Sequence, residues 1–384
     1  MIRTTCAACK TPLAHTAPRC GDCHTRYCGR GCQKQHWKAG GHKDICKKIK
    51  KAGGAEQYYA DRKCAEAVAV AVEKCADDTQ GQTCYICLEA VHARRREGLV
   101  RGCACGDREG VDSGTTGIAH VSCLAEQAKL SVAEAEENNF DGKRWSSRWK
   151  PWHTCSLCGQ QYHGVVRCAL GWACWKKYVG RPEADQARRY AITELGTGLS
   201  MAEHHADALP VRETELAMEQ RLGASEECLL DVQSNLAKTY KELGRGEALH
   251  MQRDVYSRTL ILYGEEAVDT LIEANNYAVC LVSLRHFEKA RSLLRKTLPV
   301  ARRVFGESHV STLRMRGCYA EMLYRNDNAT LDDLHEAVKT LENMERIARR
   351  VLGGAHPLTV DIEGDVKNAR AALRAREEPS SGAP

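Results

Sequence analysis

No stretch of eighteen apolar residues occurs in the 384-residue sequence, so nothing in it reads as a membrane-spanning helix. The opening, MIRTTCAACK, lacks the apolar core of a secretory signal. The chain is therefore expected to act inside the cell, in cytoplasm, nucleus or both. Aromatic residues are scarce at 6%, with three Phe. That scarcity argues against a large aromatic core and assigns the packing to Leu, Ala and Val. Cysteine is sparse in the second half, with only five of 21 after residue 160.

The other sixteen cysteines lie before residue 160. Cys pairs two residues apart, with His among them, suit zinc in a reducing compartment better than a secreted disulfide framework. Charged residues at 28% and hydrophobic residues at 43% are ordinary for a soluble globular chain, and the length allows two or three domains. The divisions expected are a Cys-rich basic module over 1–50, a helical linker over 51–81, a second Cys/His block over 82–180, helical repeats over 184–376, and a tail over 377–384, EEPSSGAP at its end, with the composition of disorder. The linker stretch AEQYYADRKCAEAVAVAVEKCADD is Ala-rich and free of Gly and Pro, which predicts a helix.

The repeat region is read from self-similarity. YGEEAVDTL (263–271) aligns with FGESHVSTL (305–313) and LGGAHPLTV (352–360), and RLGASEECL (221–229) is a weaker first copy. Gly223, Gly264, Gly306 and Gly353 mark periods of 41, 42 and 47 residues, and Ala248, Ala290 and Ala337 each precede the next glycine by sixteen. A period near 40 with two helical patterns per unit signals an α-solenoid, whose units bury their apolar faces only by stacking. The longest period contains NDNATLDD (326–333), expected to be an elongated loop. NLAKTYKELGRGEAL and NNYAVCLVSLRHFEKA resemble kinesin-light-chain-type tetratricopeptide repeats over roughly 186–376. HEAT or armadillo units have similar periods and stay open as alternatives. The resemblance implies a concave protein-binding surface; helices that merely scaffold the fingers are the plainer alternative. The fold class expected is mainly α, small zinc-stabilised modules followed by a helical repeat solenoid.

The first module offers Cys6-x2-Cys9, Cys20-x2-Cys23, Cys28-x3-Cys32 and His42-x3-Cys46. These four pairs supply ligands for two tetrahedral zinc ions, so pairs must combine. YCGRGCQ (27–33), Trp37 and HKDIC (42–46) resemble the MYND-type zinc finger. The resemblance implies interleaving: one zinc on Cys6, Cys9, Cys28 and Cys32, the other on Cys20, Cys23, His42 and Cys46. It also implies binding of short, often proline-rich, partner peptides. The segment AGG (39–41) is read as a turn. His36 is read as a helix-face residue, and His15 and His24 as bystanders. Some relatives carry this finger beside a methyltransferase domain, but no Gly-rich cofactor loop is present here, and finger and repeats leave no room for one.

The second block repeats the logic with Cys84-x2-Cys87, Cys103-x-Cys105, His120-x2-Cys123 and Cys155-x2-Cys158. CYICLE, GCAC, AHVSCL and CSLC resemble the RING-CH (RING-variant) domain. Its cross-brace implies one zinc on Cys84, Cys87, His120 and Cys123, and one on Cys103, Cys105, Cys155 and Cys158. Four zinc ions, two per module, are thus expected, all structural, because every position is filled by protein. The inserts after Cys105 and Cys123 run to fourteen and 31 residues, longer than usual, and are read as loops. His163, Cys168 and Cys174 are read as core residues rather than ligands. RING-type domains orient a ubiquitin-loaded conjugating enzyme and need no catalytic residue; Ile86 and Trp152 match the family's docking positions. Gly159 and Gln160 follow Cys158, so the basic residue that contacts ubiquitin in many ligases is missing.

Formal charge is +6. Fourteen thiolates binding four divalent ions would bring the loaded chain near neutrality, so no general attraction to nucleic acid is implied. The run KKIKK (47–51) is read as a solvated helix end. The sequence therefore predicts a zinc-binding interaction scaffold without a catalytic residue. The alternative is a RING-type ubiquitin ligase, a ubiquitin-protein transferase, whose repeats recruit substrate and whose partner is a conjugating enzyme.

Overall fold

The computed structural model describes residues 5–377 except 12, 15 and 106–116. Residues 378–384 of the expected tail, His15 and most of the insert after Cys105 lie outside the described residues, while Glu377 ends the last helix. Sixteen α-helices and one two-stranded antiparallel sheet are present among the described residues. None of these helices is long and apolar enough to cross a membrane. The chain forms two compact units, one built from residues 1–103 with 117–224, the other around residues 225–384.

The first unit opens with the Cys-rich turns and two short helices, α1 (Arg30–Lys38) and α2 (His42–Lys51). Ala39, Gly40 and Gly41 form the turn between them. Gly41 has φ of 71°, and a Cβ on Gly40 would meet His36 Cδ2 at 2.3 Å, so the tight reversal needs both glycines. In KKIKK the lysines are exposed at the C-terminus of α2 while Ile49 is buried, which makes the run an amphipathic helix end. The Ala-rich segment forms α3 (Ala55–Lys74), followed by α4 (Ala76–Thr79). The second block contributes β1 (Val100–Arg101), β2 (Ile118–Ala119), α5 (Val121–Glu137), α6 (Gly142–Trp149) and, after a 3-10 turn at Lys150–Trp152, α7 (Gly164–Tyr178). The unit closes with α8 (Gln186–Met201) and α9 (His205–Arg221).

The core of this unit differs from the composition-based expectation. Trp145, Trp149, Trp152, Trp172, Trp175 and Tyr178 are all buried in it. Trp145 stacks on Trp149 with centroids 5.1 Å apart, and Trp149 and Trp152 lie 5.5 and 5.9 Å from Tyr178. The chain-wide scarcity of aromatics conceals their concentration in one short segment, where each large ring buries far more area than an aliphatic side chain. Small residues do the complementary work between α7 and α8. A Cβ on Gly171 would sit 2.8 Å from the Glu194 carbonyl, and one on Gly198 would sit 2.7 Å from that of Arg167.

A buried polar knot ties these helices to the segment before Cys155. Glu194 accepts from Trp149 Nε1 at 2.9 Å and is paired with Arg167, and His153 Nδ1 lies 2.9 Å from the same carboxylate. Burial alone would raise the Glu194 pKa, but Arg167 and then His153 outweigh it and hold the carboxyl at about 2.

The second unit contains α10 (Glu226–Glu242), α11 (Glu247–Tyr263), α12 (Val268–Ser283), α13 (Phe287–Phe305), α14 (Val310–Arg325), α15 (Leu331–Leu352) and α16 (Pro357–Glu377). Each helix packs on the next, and α12 and α14 also pack on the helix two further along, which is the contact pattern of a stacked solenoid. Leu and Ala fill this core, as expected, with Met315, Met322 and Met344 taking more of it than Val. Ala248, Ala290 and Ala337 are buried at the same place in α11, α13 and α15. Gly264, Gly306 and Gly353 terminate those helices at φ of 82°, 90° and 95° with extended ψ, a region essentially reserved for glycine. The long third period is not simply a longer loop. The connection from α14 to α15 is 326–330, and Leu331, Asp332 and Asp333 belong to α15, whose start is fixed by a Thr330–Asp333 capping box. The extra residues are thus shared between loop and helix.

Replacing Glu194 by Gln leaves Arg167 buried without its counter-charge and is expected to cost the first unit about 3–5 kcal/mol. Tryptophan fluorescence reports that unit selectively, and its denaturation midpoint should fall while the helical transition of the second unit stays in place.

Candidate metal centres

The fourteen cysteines and two histidines singled out by spacing converge in four groups. Cys6, Cys9, Cys28 and Cys32 form the first; Cys20, Cys23, His42 and Cys46 the second; Cys84, Cys87, His120 and Cys123 the third; Cys103, Cys105, Cys155 and Cys158 the fourth. Within each group the donor atoms all lie within 4.8 Å of one another.

Local backbone explains how so few residues deliver donors so accurately. In each of the four Cys-x2-Cys segments the first cysteine's N–H donates to the carbonyl five residues on: Cys6 to Thr11, Cys20 to Thr25, Cys84 to Glu89 and Cys155 to Gln160, at 2.8, 2.8, 3.0 and 2.8 Å. The N–H four residues on returns to the first cysteine's carbonyl, from Lys10, His24, Leu88 and Gly159. These four residues have φ of 64°, 59°, 64° and 70°, so each turn accepts left-handed backbone to point both thiols inward. The remaining pairs ride on helices. His42 and Cys46 share one face of α2 at i and i+4, Cys32 lies in α1, and His120 caps α5 with Cys123 in its first turn. Cys103 and Cys105 follow β1.

The separations suit zinc. A tetrahedral ion with Zn–S near 2.3 Å and Zn–N near 2.0–2.1 Å sets S···S at about 3.8 Å and S···N at about 3.6 Å. Observed S···S distances are 3.6 Å for Cys9–Cys28, 3.3 Å for Cys28–Cys32 and 4.0 Å for Cys20–Cys46. Cys23 Sγ lies 3.4 Å from His42 Nε2, and His120 Nδ1 lies 3.4 and 3.6 Å from Cys87 and Cys123. All cysteines are free thiols, none in a disulfide. The thiols also oppose one another electrostatically. The Thr11 hydroxyl and backbone pull Cys9 down to about 6, while Cys28 pushes Cys32 up to about 12, and burial followed by Cys23 pushes Cys46 up to about 12. Thiols this close cannot all ionise beside one another unless a cation neutralises them. Four Cys/His tetrads can therefore hold zinc.

The bystanders fall where physical reasoning puts them. His36 lies on α1, with Nδ1 3.0 Å from the Tyr27 hydroxyl and its ring stacked 5.1 Å from His42. His24 supplies the left-handed turn position, and Cys168 and Cys174 are buried in α7. His163 precedes α7, outside the four groups. One expectation is corrected. Ile86 is 38% exposed, but Trp152 is 1% exposed, enclosed by Trp149 and Tyr178. Its ring serves the core and has no face to offer a docking enzyme.

Sequence reading missed a fifth turn of the same kind. His92 N–H donates to Glu97 O at 3.0 Å, Arg96 N–H returns to His92 O at 2.8 Å, and Arg96 has φ of 54°. Arg95 N–H, three residues on, donates to His92 Nδ1 at 3.3 Å. His92 and Arg95 stand where a Cys pair would stand, so ligand spacing gave no signal.

Residues 6–46 match the family model of the MYND finger, and residues 274–311 match that of the tetratricopeptide repeat. No curated protein matches the chain. Among solved structures it is similar to the Podosopora anserina "kinesin light chain nearly identical TPR-like repeats", at 20% identity and a TM-score of 0.40, covering 50% of this chain and 89% of that one. It is also similar to BtubC (BKLC) from P. vanneervenii, at 14% identity and a TM-score of 0.36, covering 69% and 95%. The chain thus carries a zinc-binding MYND finger and tetratricopeptide repeats, and repeats of this kind imply protein–protein interaction.

The pairing can be checked directly by cadmium NMR. In the finger, Cys9→Ser is expected to displace only the all-thiolate resonance, whereas Cys23→Ser should displace the resonance that His42→Cys moves to the all-thiolate range. Cys9→Ser acting on the histidine-containing resonance would contradict the interleaving.

Proposed function

We propose that the chain is a zinc-organised interaction scaffold in which metal holds the modules and partner peptides bind the finger and the repeats. In this reading the modules are the finger of 1–50, the zinc block of 82–180 joined to it by the helices of 51–81, and the repeats of 184–376. Helix α8, at the head of the last region, packs on α7, and α9 packs on α8, which supports an anchor of the repeats on the zinc block. The observation that carries the reading is that each centre has four protein donors. Such a site has no open position for a water or a substrate, so zinc contributes folding free energy, on the order of 10–16 kcal/mol in small finger peptides, rather than chemistry.

The finger also retains an aromatic surface. Trp37 is 40% exposed, while the other five tryptophans are buried or nearly so. An exposed aromatic suits a proline-rich segment, whose preformed extended helix loses little entropy on docking. A proline-rich peptide should shift the Trp37 indole resonance, and Trp37→Ala should abolish binding without loss of zinc.

A second reading, a RING-CH-type ubiquitin ligase, is favoured by one specific feature. Ile86 and Leu157 occupy equivalent places in two Cys turns and are both exposed, and the turns are joined by a 3.2 Å hydrogen bond between Tyr85 and Ser156 hydroxyls. Exposed Leu88 adjoins them in sequence. Such an apolar platform suits a conjugating enzyme; burial of Trp152 and the absence of a basic residue directly after Cys158 count against it. The scaffold reading expects purified chain to discharge ubiquitin from no member of a broad conjugating-enzyme panel. Discharge that Ile86→Ala removes with zinc retained would replace it by the ligase reading.

A further inference from the structure

Helices α3, α5 and α7 border a cavity of about 230 Å³ in the first unit, and its lining includes none of the metal-binding cysteines or histidines. Val68, Ala125 and Ala173, one from each helix, line it and are half-buried, so its apolar surface stays open to an occupant. The methylene stems of Lys129 and Lys176 add to that surface. The Cys64 thiol in the same lining is pushed up to about 11 by burial, so it brings no negative charge.

The charges around the cavity do not balance. Arg95, from the His92–Glu97 turn, and Lys177, from the last turn of α7, are exposed, and neither enters an ion pair among the described residues. The other charged groups are committed. Lys129 donates to Glu126 at 2.8 Å, Lys176 lies 3.3 Å from Asp61, and Glu97 accepts from the Ser122 N–H at 2.9 Å in the first turn of α5. The turn that copies a metal turn without ligands thus seats Glu97 on α5 and brings Arg95 to the cavity.

An apolar recess beside unspent cations suits a molecule with an apolar body and one carboxylate. Size and backbone decide its kind. The volume falls below the range of about 300–1,000 Å³ that holds drug-sized ligands, which leaves room for a single ring or a short branched chain. Three walls are helices whose backbone groups are spent within them, so an extended peptide finds no strand edge to pair with.

We propose that this cavity binds a small apolar carboxylic acid, with its body against Val68, Ala125 and Ala173 and its carboxylate on Arg95 and Lys177. Neither Trp37 nor Ile86 lines the cavity, so the proline-rich and ubiquitin results stand or fall separately.

The test uses full-length, zinc-loaded chain with 4-fluorophenylacetate, and the neutral 2-(4-fluorophenyl)ethanol as its counterpart, read by fluorine NMR titration. The acid should bind more tightly than the alcohol by roughly tenfold or more. Arg95→Gln keeps the backbone amide that donates to His92 and should weaken acid binding by roughly tenfold with zinc content unchanged. Ala125→Leu fills the cavity and should abolish binding, and added salt should weaken it. Equal binding of acid and alcohol, no binding of the acid, or binding that neither variant changes would overturn the proposal. Should Arg95→Gln lose zinc, Lys177→Gln decides, because α7 carries no metal ligand; unchanged affinity in that variant would sink the idea. A short peptide ending in phenylalanine that binds more tightly than the acid would replace it by a site for a partner's C-terminus.

Discussion

The structure depends on the requirement that zinc be enclosed by four donors at fixed separation. Segments with little apolar content cannot fold on burial alone. Metal enclosure converts that weakness into geometry, because a thiol that joins a tetrad draws its turn, its helix and the neighbouring chain into register. In the finger, one centre joins the first Cys turn to α1, and the other joins the second turn to α2. Interleaving makes the two centres interdependent, so the finger is locked as one body rather than as two beads. The second block uses the same device around β1, β2 and the start of α5.

The two compact units reach stability by different routes. In the first, a dense aromatic cluster and the Glu194–Arg167–His153 knot fix the segment that delivers Cys155 and Cys158. The second relies on its stacked helices, with Ser234 and Gln252 bonded to the Glu273 carboxylate in its interior. Repeated Ala, Leu and Met contacts between successive helices add up, and glycine at the ends of α11, α13 and α15 sets the turn there. A solenoid of this kind offers long surfaces to partners, whereas metal-bound turns offer compact, rigid ones.

Much of this was legible in the residues because their chemistry is local. The Cys/His spacings predicted the donors and the family resemblances implied the groups in which the fold brings them together, while the periodic glycines predicted the repeat, whose helices α11, α13 and α15 end at Gly264, Gly306 and Gly353. Less legible were features set by three-dimensional neighbours. Trp152 carries a family position that suggests docking, yet Trp149 and Tyr178 enclose it. The His92–Glu97 turn copies a metal turn without ligands, so no spacing revealed it. Chain-wide aromatic content hid a local cluster, and the five-residue excess in the third period could be divided between loop and α15 only once the Thr330 cap was visible.

The measurement that bears most directly on this account is zinc per chain, by elemental analysis of full-length protein purified with excess zinc and then freed of loosely held metal. Four tetrads predict four ions per chain. A value of two would contradict the account, because one of the two modules would then owe its fold to something other than metal.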